Sequence, residues 1–247
     1  MKKVGIIGYG EIGQSLEKLY LGKDFVIQIN DTGLDKSEIE SNVDILNIAI
    51  PFTSKDTFVG VVSKYITELK PELTIIHSTI TPSTTLDIIK NTKNDNIVHS
   101  PVRGIHPNLY EGLKTFTKFI GSDNKGATIL AKNHYDEIDL KYEIFESSKA
   151  TELAKVLSTT YYGMCIAFHN DINNLCKEHN VKFDEVATKW NKTYNEGYSK
   201  LGMSNVIRPV LYPPKDGKIG GHCVVPNAEL CKQFFDSKVL DYILELK

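Results

Sequence analysis

A short apolar run, Val4-Gly5-Ile6-Ile7, ends directly on Gly8-Tyr9-Gly10-Glu11-Ile12-Gly13. This junction constrains the fold more than any other stretch of the chain. An apolar run, a G-x-G-x-x-G turn and a helical pattern in that order read as strand, tight turn and helix. Gly8 permits the tight turn, Gly10 lets a pyrophosphate approach the backbone, and Gly13 allows close helix–strand packing. The free N–H groups at the start of the helix favour phosphate charge. A second β-like run ends at Asn30-Asp31, and Asp31 lies 18 residues past Gly13. A carboxylate there accepts from a ribose 2′-OH and repels a 2′-phosphate, which favours NAD over NADP as the cofactor. The alternative is a βα turn that uses its glycines for packing only.

The rhythm continues. β-like runs at residues 4–7, 25–29, 44–50, 73–77, 97–100 and 116–120 alternate with helical stretches, and a last run at 140–145 closes this half. Such alternation predicts α/β architecture, a Rossmann-like, doubly wound parallel sheet with helices on both faces. Ligands of such sheets sit beyond the carboxyl ends of the strands. Two further strand ends, at Pro51 and at Ser78-Thr79, are therefore expected to line the same crevice, with Thr79 bonding cofactor or substrate or else capping the next helix.

The texture changes near residue 148. From 148 to 179 there is no proline and one glycine, and apolar residues recur at helical spacing. A helix of about 30 residues would be ~45 Å long. It suits a bridge between domains or a dimer interface. A second helical stretch is expected over 184–201, then a loop over 208–226, then a terminal helix over 228–246. The expected division is a dinucleotide-binding domain at 1–147 and a helical domain at 148–247.

Composition removes several function classes. A formal net charge of −2 gives no electrostatic reason to expect nucleic acid or an anionic membrane as partner. No stretch approaches the roughly 20 apolar residues of a membrane span, and the opening apolar run is too short for a signal peptide. Four cysteines without a C-x-x-C suit neither a disulfide framework nor structural zinc, so a cytoplasmic protein with no metal is expected. Arg103 and Arg208 are the only arginines. Both are candidates to hold an anionic group of a small-molecule substrate, because a guanidinium grips carboxylate or phosphate in bidentate fashion; surface positions are the alternative.

Several segments, in order, resemble the UDP-glucose/GDP-mannose dehydrogenase family. The glycine turn is the first. Ser78-Thr79-Ile80-Thr81-Pro82-Ser83-Thr84-Thr85 is similar to that family's Ser-Thr-Val-Pro-Pro-Gly-Thr-Thr, and Ser100-Pro101-Val102-Arg103 to its Ser-Pro-Glu-Arg. Glu152-Leu153-Ala154-Lys155 resembles its Glu-Leu-x-Lys, and Ala167-Phe168-His169-Asn170-Asp171 its Ala-Phe-x-Asn-Glu. Gly220-Gly221-His222-Cys223 with Pro226 resembles its Gly-Gly-His-Cys-x-Pro. The resemblance implies an NAD-dependent, two-step oxidation of a sugar alcohol. Cys223 would be the nucleophile, forming a thiohemiacetal and then a thioester that water cleaves. Lys155 would stabilise the oxyanion or move protons. A thiolate nucleophile needs a lowered pKa, which Lys155, His222 and the nearby glycine N–H groups are suited to supply.

Departures from the family pattern redirect that expectation. The glutamate expected to activate water is Val102. The asparagine expected four residues after the lysine is Thr159, and the aspartate expected four after the cysteine is Asn227, whose amide is no general base near neutral pH. The family's further nucleotide-sugar-binding domain is expected to be lacking. Losing an acid–base partner typically costs ~10²–10⁴ in rate. The favoured reading is an NAD-dependent oxidoreductase acting on a different or smaller alcohol or sugar, with Cys223, Lys155, Thr79 and Thr159 in its catalytic site. Arg103, Arg208, His222 and Asn227 would contact the substrate, and a homodimer would form through the long helix. A non-catalytic dinucleotide-binding dimer is the alternative, and a missing domain supplied by a separate chain is the third. His106, after the Arg103-Gly104 turn, is either a replacement acid–base group or a loop histidine.

Overall fold

The first strand, β1 (Lys2–Ile7), is apolar at consecutive positions because both of its faces are covered, and Val4, Ile6 and Ile7 are buried. The computed structural model describes residues 1–34, 36–37, 39, 42–220 and 223–247, with backbone only at 36 and 37. Two compact units emerge, Met1–Lys155 and Val156–Lys247. The division falls inside the long helix, after Lys155, not ahead of the helix as the change of texture at 148 suggests.

In the first unit, β2 (Phe25–Asp31) and β4 (Ile45–Ile48) flank β1 in parallel. Beyond β4 follow β5 (Leu73–Ile76) and β6 (Ile97–His99), also parallel. The direction then reverses: β7 (Lys118–Gly121) pairs antiparallel with β6, and β8 (Tyr142–Phe145) runs parallel to β7. A two-residue β3 (Lys36–Ser37), which the sequence pattern did not suggest, pairs antiparallel with β2 at the far edge. The order β3-β2-β1-β4-β5-β6-β7-β8 places the topological switch between β1 and β4. This is an α/β, Rossmann-like, doubly wound sheet.

Each face of the sheet has its own core. On one side α1 (Glu11–Tyr20) and α5 (Lys125–Glu137) bury Leu16, Tyr20, Ala131 and Tyr135 against Val4 and Ile6. On the other, α2 (Lys55–Leu69) and α3 (Thr84–Thr92) bury Phe58, Val62, Ile66 and Ile88 against Leu46 and Ile48. The short α4 (Leu109–Thr115) follows the β6 loop.

The long helix α6 (Ser148–Glu178) has 31 residues and continues from the first unit into the second. The second helical stretch opens with a π-helical segment, Asp184–Lys189, and continues as α7 (Trp190–Lys200). Near the C-terminus the structure departs from the expected loop and single helix. The helix α8 (Val224–Lys232) starts at once after Cys223, so Pro226 is its third residue, and α9 (Lys238–Leu244) is separate. Proline is tolerated in a first helical turn because the N–H it lacks has no partner there anyway. Ser237 ends the break by accepting from Val239 N–H. Val156, Ala167, Val224, Ala228, Leu240 and Ile243 form the core of this unit. Gly163 lets α8 close on α6: a Cβ there would lie 2.6 Å from Val224 Cγ1.

Candidate functional site

The glycine turn lies at the carboxyl end of β1 and leads into α1. Gly8 has φ +92°, and a Cβ on it would meet Ala49 O at 2.6 Å. A Cβ on Gly13 would lie 2.1 Å from Gly8 O, which is the close helix–strand approach the motif calls for. Gly10 differs: a Cβ there would meet nothing within 4 Å. The space over Gly10 is therefore open, as a pyrophosphate on the α1 N-terminus requires.

Asp31 closes the adjacent strand end. Its Oδ2 accepts from Tyr9 N–H at 2.6 Å, and its Oδ1 from Gly33 and Leu34 N–H at 2.9 and 3.0 Å. These backbone donors, Tyr9 first, hold its carboxyl below the usual range. The group stays ionised, with lone pairs left for a ribose hydroxyl. Tyr9 donates from its hydroxyl to Glu17, and Glu11 Oε2 is paired with His106 Nδ1 at 2.5 Å. His106 is thus drawn to the start of α1. Ile12 packs against the first core. Pro51 is exposed beyond β4, and Thr79 is half-buried beyond β5. Thr79 is not the cap of α3. Ser83 precedes that helix, and the fully buried Glu152 of α6 accepts from Ser83 N–H (2.6 Å), Thr85 N–H (2.9 Å) and Thr85 Oγ1 (2.7 Å).

Beyond β6, Lys155 Nζ donates to Val102 O at 2.7 Å. The lysine holds the backbone carbonyl at the position where the family's pattern has a glutamate side chain. The Val102 side chain is buried. Arg103 donates to Thr117 O at 2.6 Å and sits 4.2 Å from the Phe119 ring centroid. Its guanidinium is engaged with the segment leading into β7.

In the second unit, Cys223 is the residue capping α8 and is half-buried. His222 and Gly221 lie outside the described residues. Asn227 Nδ2 donates to Thr159 Oγ1 at 3.0 Å, while Thr159 donates to Val156 O at 2.8 Å. Arg208 stacks 3.5 Å from the Tyr194 ring centroid and lines a mostly apolar cavity of about 750 Å³ with Phe168, His169, Asn191, Lys238 and Tyr242.

A polar chain inside the first unit escaped the sequence reading. Tyr20 Oη and His134 Nε2 are 2.9 Å apart, Asn47 Nδ2 donates to Tyr20 Oη at 3.0 Å, and Asn47 Oδ1 meets His77 Nε2 at 2.9 Å. His99 lies between Thr151 Oγ1 and Ser78 O. Burial lowers the pKa of His99 and of His134 to about 3, and that of His77 well below its ordinary value. The only signal in the sequence is a set of polar residues at or beside apolar strands. Among the described residues no group of three His, Cys, Asp or Glu is placed to hold a metal, and no helix is long and apolar enough to cross a membrane.

No family model matches the chain. It is 26% identical over 170 residues to the UDP-N-acetyl-D-mannosamine dehydrogenase of Methanocaldococcus jannaschii, a match covering 66% of this chain and 36% of that protein. The chain thus spans well under half of that curated relative's length. In fold it is similar to UDP-D-ManNAc dehydrogenase from Pyrococcus horikoshii, with TM-score 0.76, 16% identity, and 99% of this chain and 68% of that one covered. It is also similar to Mycobacterium tuberculosis 3-hydroxyisobutyrate dehydrogenase, with TM-score 0.71, 13% identity, and 99% and 92% covered. By motif order, sequence similarity and fold together, the chain is similar to dehydrogenases of the UDP-sugar type.

Proposed function

We propose that this chain is an NAD-dependent oxidoreductase that oxidises an alcohol, on a sugar or a smaller substrate different from the family's nucleotide sugars. The observation that carries the reading is the bond from Lys155 Nζ to Val102 O. That carbonyl follows β6, on the same edge of the parallel strands as the glycine turn and Asp31. The open space over Gly10 and the ionised Asp31 suit NAD, with the pyrophosphate on the α1 N-terminus and the ribose on Asp31. NAD, when bound, accepts the hydride that leaves the alcohol carbon. Lys155 handles the accompanying hydroxyl proton at Nζ and stabilises the developing oxyanion. As the resemblance implies, Cys223 would contact the substrate or add to the carbonyl product as a thiohemiacetal, and Arg208, His222 and Asn227 would contact the substrate. With valine at 102 and a neutral amide at 227, no carboxylate stands at either position to activate water. The reading therefore stops at a two-electron oxidation.

The assembly we propose is a homodimer through α6. Leu157, Tyr161, Phe168 and Leu175, spaced by four and seven residues along that helix, are each 40–59% exposed. Such a stripe suits a second copy. All four cysteines are unpaired, which supports a cytoplasmic location.

NADH formation across a panel of sugars, nucleotide sugars and hydroxy acids tests the reading. Turnover on one substrate class, abolished in Lys155→Ala and reduced in Cys223→Ala, is the expected result. NAD binding without turnover on any member would replace it with the second reading, a non-catalytic dinucleotide-binding dimer. The mutual bonding of Thr159 and Asn227, two uncharged groups at positions the family uses for chemistry, favours that alternative.

A further inference from the structure

Glu11 is the first residue of α1, directly after Gly10. The first bond inside that helix runs from Gln14 N–H to Gly10 O at 3.0 Å. The N–H groups of Glu11, Ile12 and Gly13 are therefore left for an outside acceptor. They are the donors that a diphosphate would take. The same turn carries a fixed negative charge, because the Glu11 side chain starts from the first helical position. An acidic group there gains from the positive end of the helix. A diphosphate on the same N–H groups opposes it, like charge against like.

One contact governs where that carboxylate points. His106 Nδ1 lies 2.5 Å from Glu11 Oε2. A carboxylate only accepts, so Nδ1 carries a proton and donates it to the bond. Glu11 Oε1 is buried without a hydrogen-bond partner. No lysine or arginine pairs with Glu11 among the described ion pairs. His106 itself is fixed from elsewhere. It stands 95 residues further along the chain, in the loop between β6 and α4. Asn108 N–H closes a turn around it by donating to Ile105 O at 2.7 Å. A Cβ on Gly112 of α4 would lie 2.7 Å from Gly104 Cα, so α4 is pressed against that loop. The helix α4 in turn packs on α1.

We propose that His106 is a positioning residue of the cofactor site: it ties the Glu11 carboxylate aside and keeps it off the diphosphate seat at the start of α1. The inference rests on the reading of the glycine turn as an NAD site, and needs neither Lys155 nor Cys223 in a catalytic role. His106 acts on the diphosphate only through Glu11. Cut loose from the imidazole, the carboxylate turns back into the field of the helix N–H groups and competes with the ligand for them.

Titration calorimetry on the full chain, with NAD and with ADP-ribose, tests this; ADP-ribose keeps the diphosphate and lacks the nicotinamide. His106→Ala is expected to weaken both ligands about tenfold, the order of magnitude for a like charge brought close at a partly solvated site. Adding Glu11→Ala removes that charge, and the double variant is expected to return to within about twofold of the parent. Circular dichroism establishes folding, and His106→Leu replaces the alanine variant if that one does not fold. A double variant as weak as the single one overturns the proposal, because a merely structural histidine, or one that touches the ligand directly, is not rescued by removing a carboxylate. A loss confined to NAD also overturns it, since the charge would then act at the nicotinamide end. If the parent binds neither ligand, the cofactor reading fails and the proposal with it. If the parent binds both and the folded His106 variant binds them equally well, the cofactor reading stands and the proposal alone fails.

Discussion

Asn227 and Thr159 are hydrogen-bonded to each other, Nδ2 to Oγ1 at 3.0 Å. They occupy the two positions where the family's pattern has an aspartate and an asparagine. The substitutions are thus not independent losses. The threonine hydroxyl donates to Val156 O and accepts from the amide.

A double-mutant cycle measures that pair. Thr159→Val and Asn227→Ala are each expected to cost about 1 kcal/mol, with a coupling energy of about 0.5–1.5 kcal/mol from chemical denaturation. Additive effects would show that the bond contributes nothing to stability.

Cofactor binding depends on the packing of the glycine turn. Gly13→Ala pushes a methyl group to 2.1 Å from Gly8 O, so the turn must open. Titration calorimetry should show NAD affinity reduced at least tenfold. Asp31→Asn puts amide hydrogens where Tyr9, Gly33 or Leu34 N–H now donate, and should weaken NAD by ~1–3 kcal/mol. Unchanged NAD affinity in both variants would remove the turn from the cofactor site.

Stability should fall with acid from a higher pH than carboxylates alone would cause. His77, His99 and His134 are buried neutral, with folded pKa values far below the ~6.5 of an unfolded chain. Below about pH 6.5 the unfolded chain takes up protons that the folded chain refuses, so these groups leave stability intact above that pH and erode it below. The slope approaches roughly 1.4 kcal/mol per pH unit for each histidine. A melting temperature that stays flat between about pH 7 and pH 5 would contradict this.

Glu152 joins α6 to α3. Glu152→Gln leaves the new amide facing a backbone N–H, either at Ser83 or at Thr85, and is expected to destabilise by ~1–3 kcal/mol. Faster amide exchange confined to the first turn of α3 would locate the effect; a stability equal to the parent's would mean that solvent replaces the carboxylate at no cost.

The strands β1, β2, β4, β5 and β6 were legible as mostly apolar runs between turn residues, because a covered strand favours apolar side chains, with Asn47, Thr74 and His99 as buried polar exceptions. The glycine turn was legible because backbone geometry and close approach select glycine at each residue separately. The same logic reveals α6, whose periodicity needs no partner to be seen. The start of α8 was hidden, since Gly-Gly-His-Cys followed by Pro226 reads as loop until the helix is known to begin at Val224.

Local chemistry along the chain therefore determined the sheet, the nucleotide turn and the long helix. Only the folded chain decided that Lys118 and Lys155 grip successive carbonyls, that Glu152 caps a helix 67 residues earlier, and that Asn227 bonds Thr159. Hydrogen bonds act over about 3 Å, and the distance between groups remote in sequence is set by packing, which no local residue pattern encodes.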